Sequence, residues 1–144
     1  MTPDVNVLVA ASRSDHAHHA VAFAWLESAR DEAPRGRGLL LLPMVIASFL
    51  RLVTNPRVFK SPTPPPAAIA FVDALLASPG VRIPAVGEEW PLLRELCLRD
   101  SLSGNELPDA WIAAAVRQLG DHLVSFDADF RKLLTRTELT LLRA

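Results

Sequence analysis

The chain has 144 residues, half of them hydrophobic, which suits a single domain, residues 1–144, built around one core. Fifteen Lys and Arg against sixteen Asp and Glu leave a formal net charge of −1, so there is no global basic excess and any nucleic-acid contact must come from a local patch. The one cysteine, Cys97, excludes an internal disulfide and fits a reducing compartment, and the longest apolar run, residues 38–50, is broken by Pro43 and falls short of the roughly 20 residues that a membrane-spanning helix needs.

No basic stretch followed by an apolar core opens the sequence, so no signal peptide and a cytoplasmic location are expected. VNVLVAA, directly after Asp4, is apolar on most sides and reads equally as a strand or a short buried helix. HAVAFAWLESARDEA carries apolar residues at helical spacing, and GLLLLP is the continuous apolar run of a strand buried on both faces. MVIASFLRLVT predicts a helix ending before Asn55-Pro56. The proline cluster of SPTPPPAAIAFVDALLASPG predicts a rigid lead into a helix that Gly80 stops. VRIPAV is a short strand, EEWPLLRELCLRD a helix, and LPDAWIAAAVRQLG a helix closed by Gly120. HLVSF is a strand, DADFRKLL a helical turn and ELTLL a last strand. Alternating strands and helices predict an α/β fold in three layers with a small, mainly parallel sheet.

The acids gather at the junctions. Asp4 stands at the first, Asp109 opens a helix beside Pro108, and Asp127 follows a strand with Asp129 two residues on. Each placement is explained by helix capping or the helix dipole alone. In open parallel sheets, however, helices begin at the carboxyl edge where ligands bind, so several caps on that edge also form an acidic cluster. Clustered carboxylates repel one another unless a cation intervenes, and hard oxygen donors select Mg²⁺ or Mn²⁺. Such an ion activates water and neutralises phosphate charge, which points to metal-dependent phosphoryl chemistry.

PDVNVLVAA, FLRLVTNPRVF, LPDAWIAAA and LVSFDADF occur in an order and at a spacing that resemble PIN-domain ribonucleases, and more narrowly the VapC toxins of bacterial type II toxin–antitoxin pairs. The likeness runs over nearly the whole chain. It implies a three-layer α/β/α PIN-like fold in which VNVLVAA is the helix after the first strand. It also implies a metal-dependent endoribonuclease using Mg²⁺ or Mn²⁺, a homodimer, and inhibition by a cognate VapB-like antitoxin. By the same likeness Asp4, Asp109 and Asp127 match the family's catalytic and metal-binding acids, Asp129 is an additional metal-ligand candidate, and Asn6 and Ser125 stand where small polar residues support the site.

Two departures accompany the resemblance. ASFLR places Ser48 where many PIN domains carry a glutamate, a ligand for which Asp129 or Glu106 is the candidate substitute. Only three residues precede Asp4, so the first strand must be very short. Arg51 reads as a phosphate or carboxylate contact at the site or as a surface salt bridge. Asn55, Pro56 and Arg57 read as an RNA-touching turn or a plain helix stop. DHAHH, residues 15–19, has the look of a metal motif but is expected to be the solvated start of a helix. Trp25, Trp90 and Trp111 are expected in the core or at an interface. Two other readings compete. DVNV also resembles the opening of the haloacid dehalogenase phosphatase motif, although Asn6 replaces its second acid. With Ser48 in place of glutamate, the domain could instead be a catalytically degenerate binder of RNA or antitoxin.

Overall fold

The computed structural model describes residues 1–143. Five short strands and six α-helices follow in the order β1 (Thr2–Pro3), α1 (Val5–Ser12), α2 (His19–Glu32), β2 (Leu39–Leu40), α3 (Pro43–Val53), α4 (Pro65–Leu76), β3 (Val81–Arg82), α5 (Trp90–Asp100), α6 (Leu107–Gln118), β4 (Leu123–Ser125) and β5 (Leu139–Leu141). Strands β1, β4 and β5 form one parallel ladder and β2 and β3 another. The two are joined through Met1, whose amine donates to Gly38 O at 2.9 Å and whose carbonyl accepts from Leu40 N at 2.9 Å. The strands therefore lie in the order β3-β2-β1-β4-β5.

Successive residues of a strand face opposite sides of a sheet. Both residues of β1, both of β2 and all three of β4 are buried, so helices cover both faces. This is the three-layer arrangement that the buried apolar runs predict. The edge strands β3 and β5 each expose a residue. Helix α1 packs against α2, α3 and β4, α3 against α4, and α5 against α6.

Several local expectations hold. VNVLVAA is a helix, with Val7, Leu8, Val9, Ala10 and Ala11 all buried, which explains why its periodicity was ambiguous: a short helix apolar on nearly every side has no polar stripe to declare it. Prolines occupy the first turn of α3, α4, α5 and α6, where their missing N–H costs nothing. α3 stops at Thr54, and Asn55 Oδ1 then accepts from Arg57 N at 2.9 Å, a side-chain-built turn. Gly80 has φ +77°, and a Cβ there would lie 2.6 Å from Ala33 C and 2.7 Å from its oxygen. Only glycine fits this left-handed turn, from which Gly80 O accepts from Leu39 N at 3.0 Å to start the β2–β3 pairing.

One expectation fails. DHAHH is not the solvated start of a helix. Residues 13–18 form a turn closed by bonds from His16 N to Arg13 O and from His19 N to His16 O, both 3.0 Å, and α2 begins only at His19. His16, His18 and His19 are all partly buried. A buried arginine with many partners nearby, Arg13, holds the segment as a turn.

Candidate active site

Parallel pairing of β1 with β4 brings the start of the chain against its later part. Asp4 caps α1, its Oδ1 accepting from Val5 N at 2.7 Å, while its own N–H donates to Val124 O at 2.9 Å. Asp127 caps the 3₁₀ turn of residues 128–132, its Oδ1 accepting from Asp129 N at 2.8 Å. Asp109 lies in the first turn of α6. Capping and convergence thus coexist: Asp4, Asp109 and Asp127 line one open depression of ≈ 420 Å³, together with Asn6, Ser48 and Arg51.

Ser125 joins the two ends of the site. Its hydroxyl donates to Asp4 Oδ2 at 2.6 Å and accepts from Asn6 Nδ2 at 3.1 Å and Asp127 N at 2.9 Å. Asn6 Oδ1 in turn accepts from Phe126 N at 3.2 Å. Asn6 is therefore a strut that seats the β4 end, a geometry with no need for an acid at that position.

Asp4 is 5% exposed. Burial pushes its pKa up from 3.8 to about 6, against the lowering effect of the Ser125 and Val5 bonds, and the charges of Asp109 and Asp127 add to the rise. Asp109, half-buried, is also raised, by burial first and then by the charges of Asp127 and Asp129. The acids thus sit close enough to oppose one another's ionisation. Among the described residues no group of three or more His, Cys, Asp or Glu side chains is arranged to hold one ion as it stands. The donor set is nonetheless all carboxylate oxygen and mutually repelling, which suits a hard cation such as Mg²⁺. That ion takes one or two carboxylates and fills its other positions with water and substrate phosphate.

The other predicted residues divide. Arg51, at the end of α3, is exposed on the rim of the depression and makes no ion pair among the described residues. Asp129 is exposed, pairs with Lys132 at 3.1 Å, and lines a neighbouring hollow with Asp109 and Glu106. Glu106 Oε2 is occupied by Ser103 N at 3.1 Å in a capping box. Asn55 and Arg57 lie outside the depression, and Val58 and Phe59 line it instead. Ser48 lines both this depression and a separate apolar groove bearing Trp90 and Trp111. Trp111 Nε1 donates to the buried Glu89 at 2.7 Å, fixing the indole on the loop before α5, whereas Trp25 packs partly buried on the core.

Sequence reasoning passed over Arg13. It is 7% exposed, bonds Asp15 at 3.0 and 2.7 Å, Thr63 Oγ1 at 3.1 Å and Ser61 O at 2.9 Å, and lies 3.9 Å over the Phe59 ring. The only local signal was Asp15 two residues away. Its partners at 59–63 have no sequence pattern that announces them.

The PIN domain family model matches residues 1–134. Ribonuclease VapC25 of Mycobacterium tuberculosis is 39% identical over 132 residues, covering 90% of this chain and 89% of that protein. Ribonuclease VapC43 of the same organism is 41% identical over 141 residues, covering 94% and 93%. Among solved structures, that of M. tuberculosis VapC20, described as a Sarcin-Ricin loop cleaving toxin, aligns with TM-score 0.68 at 18% identity over 99% of this chain and 98% of that one. That of VapBC2 from Rickettsia felis, bound to a DNA fragment from its promoter, aligns with TM-score 0.63 at 19% identity over 98% and 96%. With a family match over nearly its whole length and ribonuclease relatives at about 40% identity, the chain belongs to the PIN-domain family and, within it, to the VapC ribonucleases.

Proposed function

We propose that the chain is the toxin of a type II toxin–antitoxin pair and hydrolyses RNA phosphodiester bonds with a divalent ion held principally by Asp4 and Asp109, Asp127 completing the site directly or through water and Asp129 standing at the margin. The observation that carries this reading is the buried Asp4 carboxylate facing two further acids across one open depression. A bound Mg²⁺ or Mn²⁺ supplies charge neutralisation at the phosphate and a more acidic water. The chain's own residues supply the rest. Ser125 and Asn6 hold Asp4 and the Asp127 backbone in register. A carboxylate of the cluster takes the proton of the attacking water. Arg51 offers a fixed positive charge to a phosphate at the rim. Asn55 and Arg57, on the turn after α3, lie outside the depression, and contact with RNA there is the proposal for them.

A VapB-like antitoxin is the proposed inhibitor, in keeping with the VapBC2 neighbour. A second copy of the chain is the proposed occupant of the apolar groove, where Trp90 is 62% and Trp111 41% exposed. No helix among the described residues is long and apolar enough to cross a membrane.

The test is cleavage of total RNA with Mn²⁺ by the wild type and by Asp109→Asn. Cutting that stops with the substitution and with chelator supports the reading. Cutting indifferent to both overturns it, and no cutting with any RNA or metal favours the degenerate binder.

A further inference from the structure

His16 lines the acidic depression beside Asp4, Asp109, Asp127 and Arg51, yet the reading above gives it no role. Its backbone is tied on both sides, to Arg13 O and from His19 N. The turn that carries it is clasped by Arg13 to residues 59–63, and the Phe59 ring under that guanidinium is itself a wall of the depression. The next residues are anchored as well. His19 Nδ1 bonds Ala10 O at 2.9 Å, and the His18 ring stacks on Phe126 at 4.9 Å between centroids and lies 5.6 Å from that of His16.

The His16 ring has a fixed orientation and a fixed tautomer. The His18 backbone N–H donates to His16 Nδ1 at 3.1 Å. A ring nitrogen that accepts a hydrogen bond carries no proton, so the proton of the neutral imidazole sits on Nε2. Nε2 has no hydrogen-bond partner among the described residues. Burial, and next the neighbouring His18, hold the His16 pKa below its ordinary value, a direction that favours the neutral ring. Evolved sites place such spare, pre-oriented donors where a ligand acceptor arrives.

We propose that His16 is a substrate-contacting residue whose Nε2–H donates to a phosphate oxygen of the RNA backbone and sets its register over the acids. The inference rests on the ribonuclease reading, and its test separates the two. An RNA transcript that the wild type cuts with Mn²⁺ is given to His16→Ala, His16→Asn, His16→Gln and Asp109→Asn, and each variant is also melted. Glutamine carries an amide N–H near the position of Nε2, whereas asparagine reaches only as far as Nδ1. Loss of one hydrogen bond to a charged oxygen lowers kcat/KM about tenfold in His16→Ala and His16→Asn, mostly through KM, and His16→Gln stays within about threefold of wild type. If glutamine rescues no better than asparagine, or all three His16 variants match the wild type while Asp109→Asn is dead, the inference is overturned and the ribonuclease reading stands. Early melting of all three without glutamine rescue also overturns it, in favour of a packing role. If the wild type cuts nothing, both fall together.

Discussion

Asp4 costs the metal-free fold stability at neutral pH, and this cost can be measured. Its carboxyl ionises at about 6 in the folded protein instead of 3.8, mainly because it is buried. Between those two values the folded state binds more protons than the unfolded state, so unfolding free energy falls as pH rises through the window, and the loss is complete above it. At about 1.4 kcal/mol per pH unit, a shift of roughly two units makes the ionised carboxylate about 3 kcal/mol unfavourable near pH 7.5. Asp4→Asn removes the charge, conserves the shape and keeps an acceptor for Val5 N. It does not recover the whole amount, because the amide nitrogen must face the Ser125 hydroxyl, whose oxygen already accepts from Asn6 and Asp127. Allowing about 1–2 kcal/mol for that mismatch, the variant gains about 1–2 kcal/mol near pH 7.5 and loses its ability to cut RNA. Urea unfolding in chelator, stepped from about pH 4 to pH 7.5, gives the difference between variant and wild type directly. That difference must grow with pH. A difference that is flat across the window, or one that grows in favour of the wild type, refutes the claim that Asp4 is strained by burial and by its acidic neighbours. Adding Mg²⁺ then raises the wild type's stability by mass action and leaves the variant's nearly unchanged.

Ser125→Ala leaves Asn6 Nδ2 and Asp127 N without their acceptor and deprives Asp4 of the bond that lowers its pKa, so stability drops by about 2–3 kcal/mol in thermal melts and the acid limb of the cleavage pH profile moves upward. Gly80→Ala forces a Cβ into the Ala33 backbone at φ +77°, and urea unfolding is expected to show a loss of about 2–4 kcal/mol. Asp129→Asn touches an exposed acid already paired with Lys132, so cleavage slows less than about tenfold, against a loss of about a hundredfold or more for Asp109→Asn in the same assay.

The three convergent acids were legible because each stands where a helical element opens, and helices that run back against the strands of a parallel sheet begin at its carboxyl edge. Asp4, Asp109 and Asp127 meet as that logic requires. The strands were legible as buried runs but not by length. GLLLLP is buried throughout from Leu39 to Leu42, yet only Leu39 and Leu40 have register partners in β3, with one further bond from Leu41 N to Arg82 O, since hydrophobicity reports burial and not strand length. What stayed hidden depends on contacts between segments distant in the chain. Arg13 finds Ser61 and Thr63, and Glu89 finds Trp111, through tertiary placement alone. The histidine run misled for the same reason: its spacing suits a helix, but the Arg13 clasp makes it a turn.

Ser125 bonds Asp4 and Asn6 across 121 and 119 positions of chain, so the first acid waits on β4 for its partner. A growing polypeptide cannot complete the proposed centre until residues 123–127 have left the ribosome and closed onto the first strand. Synthesis therefore carries its own delay: the ribosome is itself RNA, and it is not exposed to the proposed cutting edge until the 121 positions that separate Asp4 from Ser125 have been made.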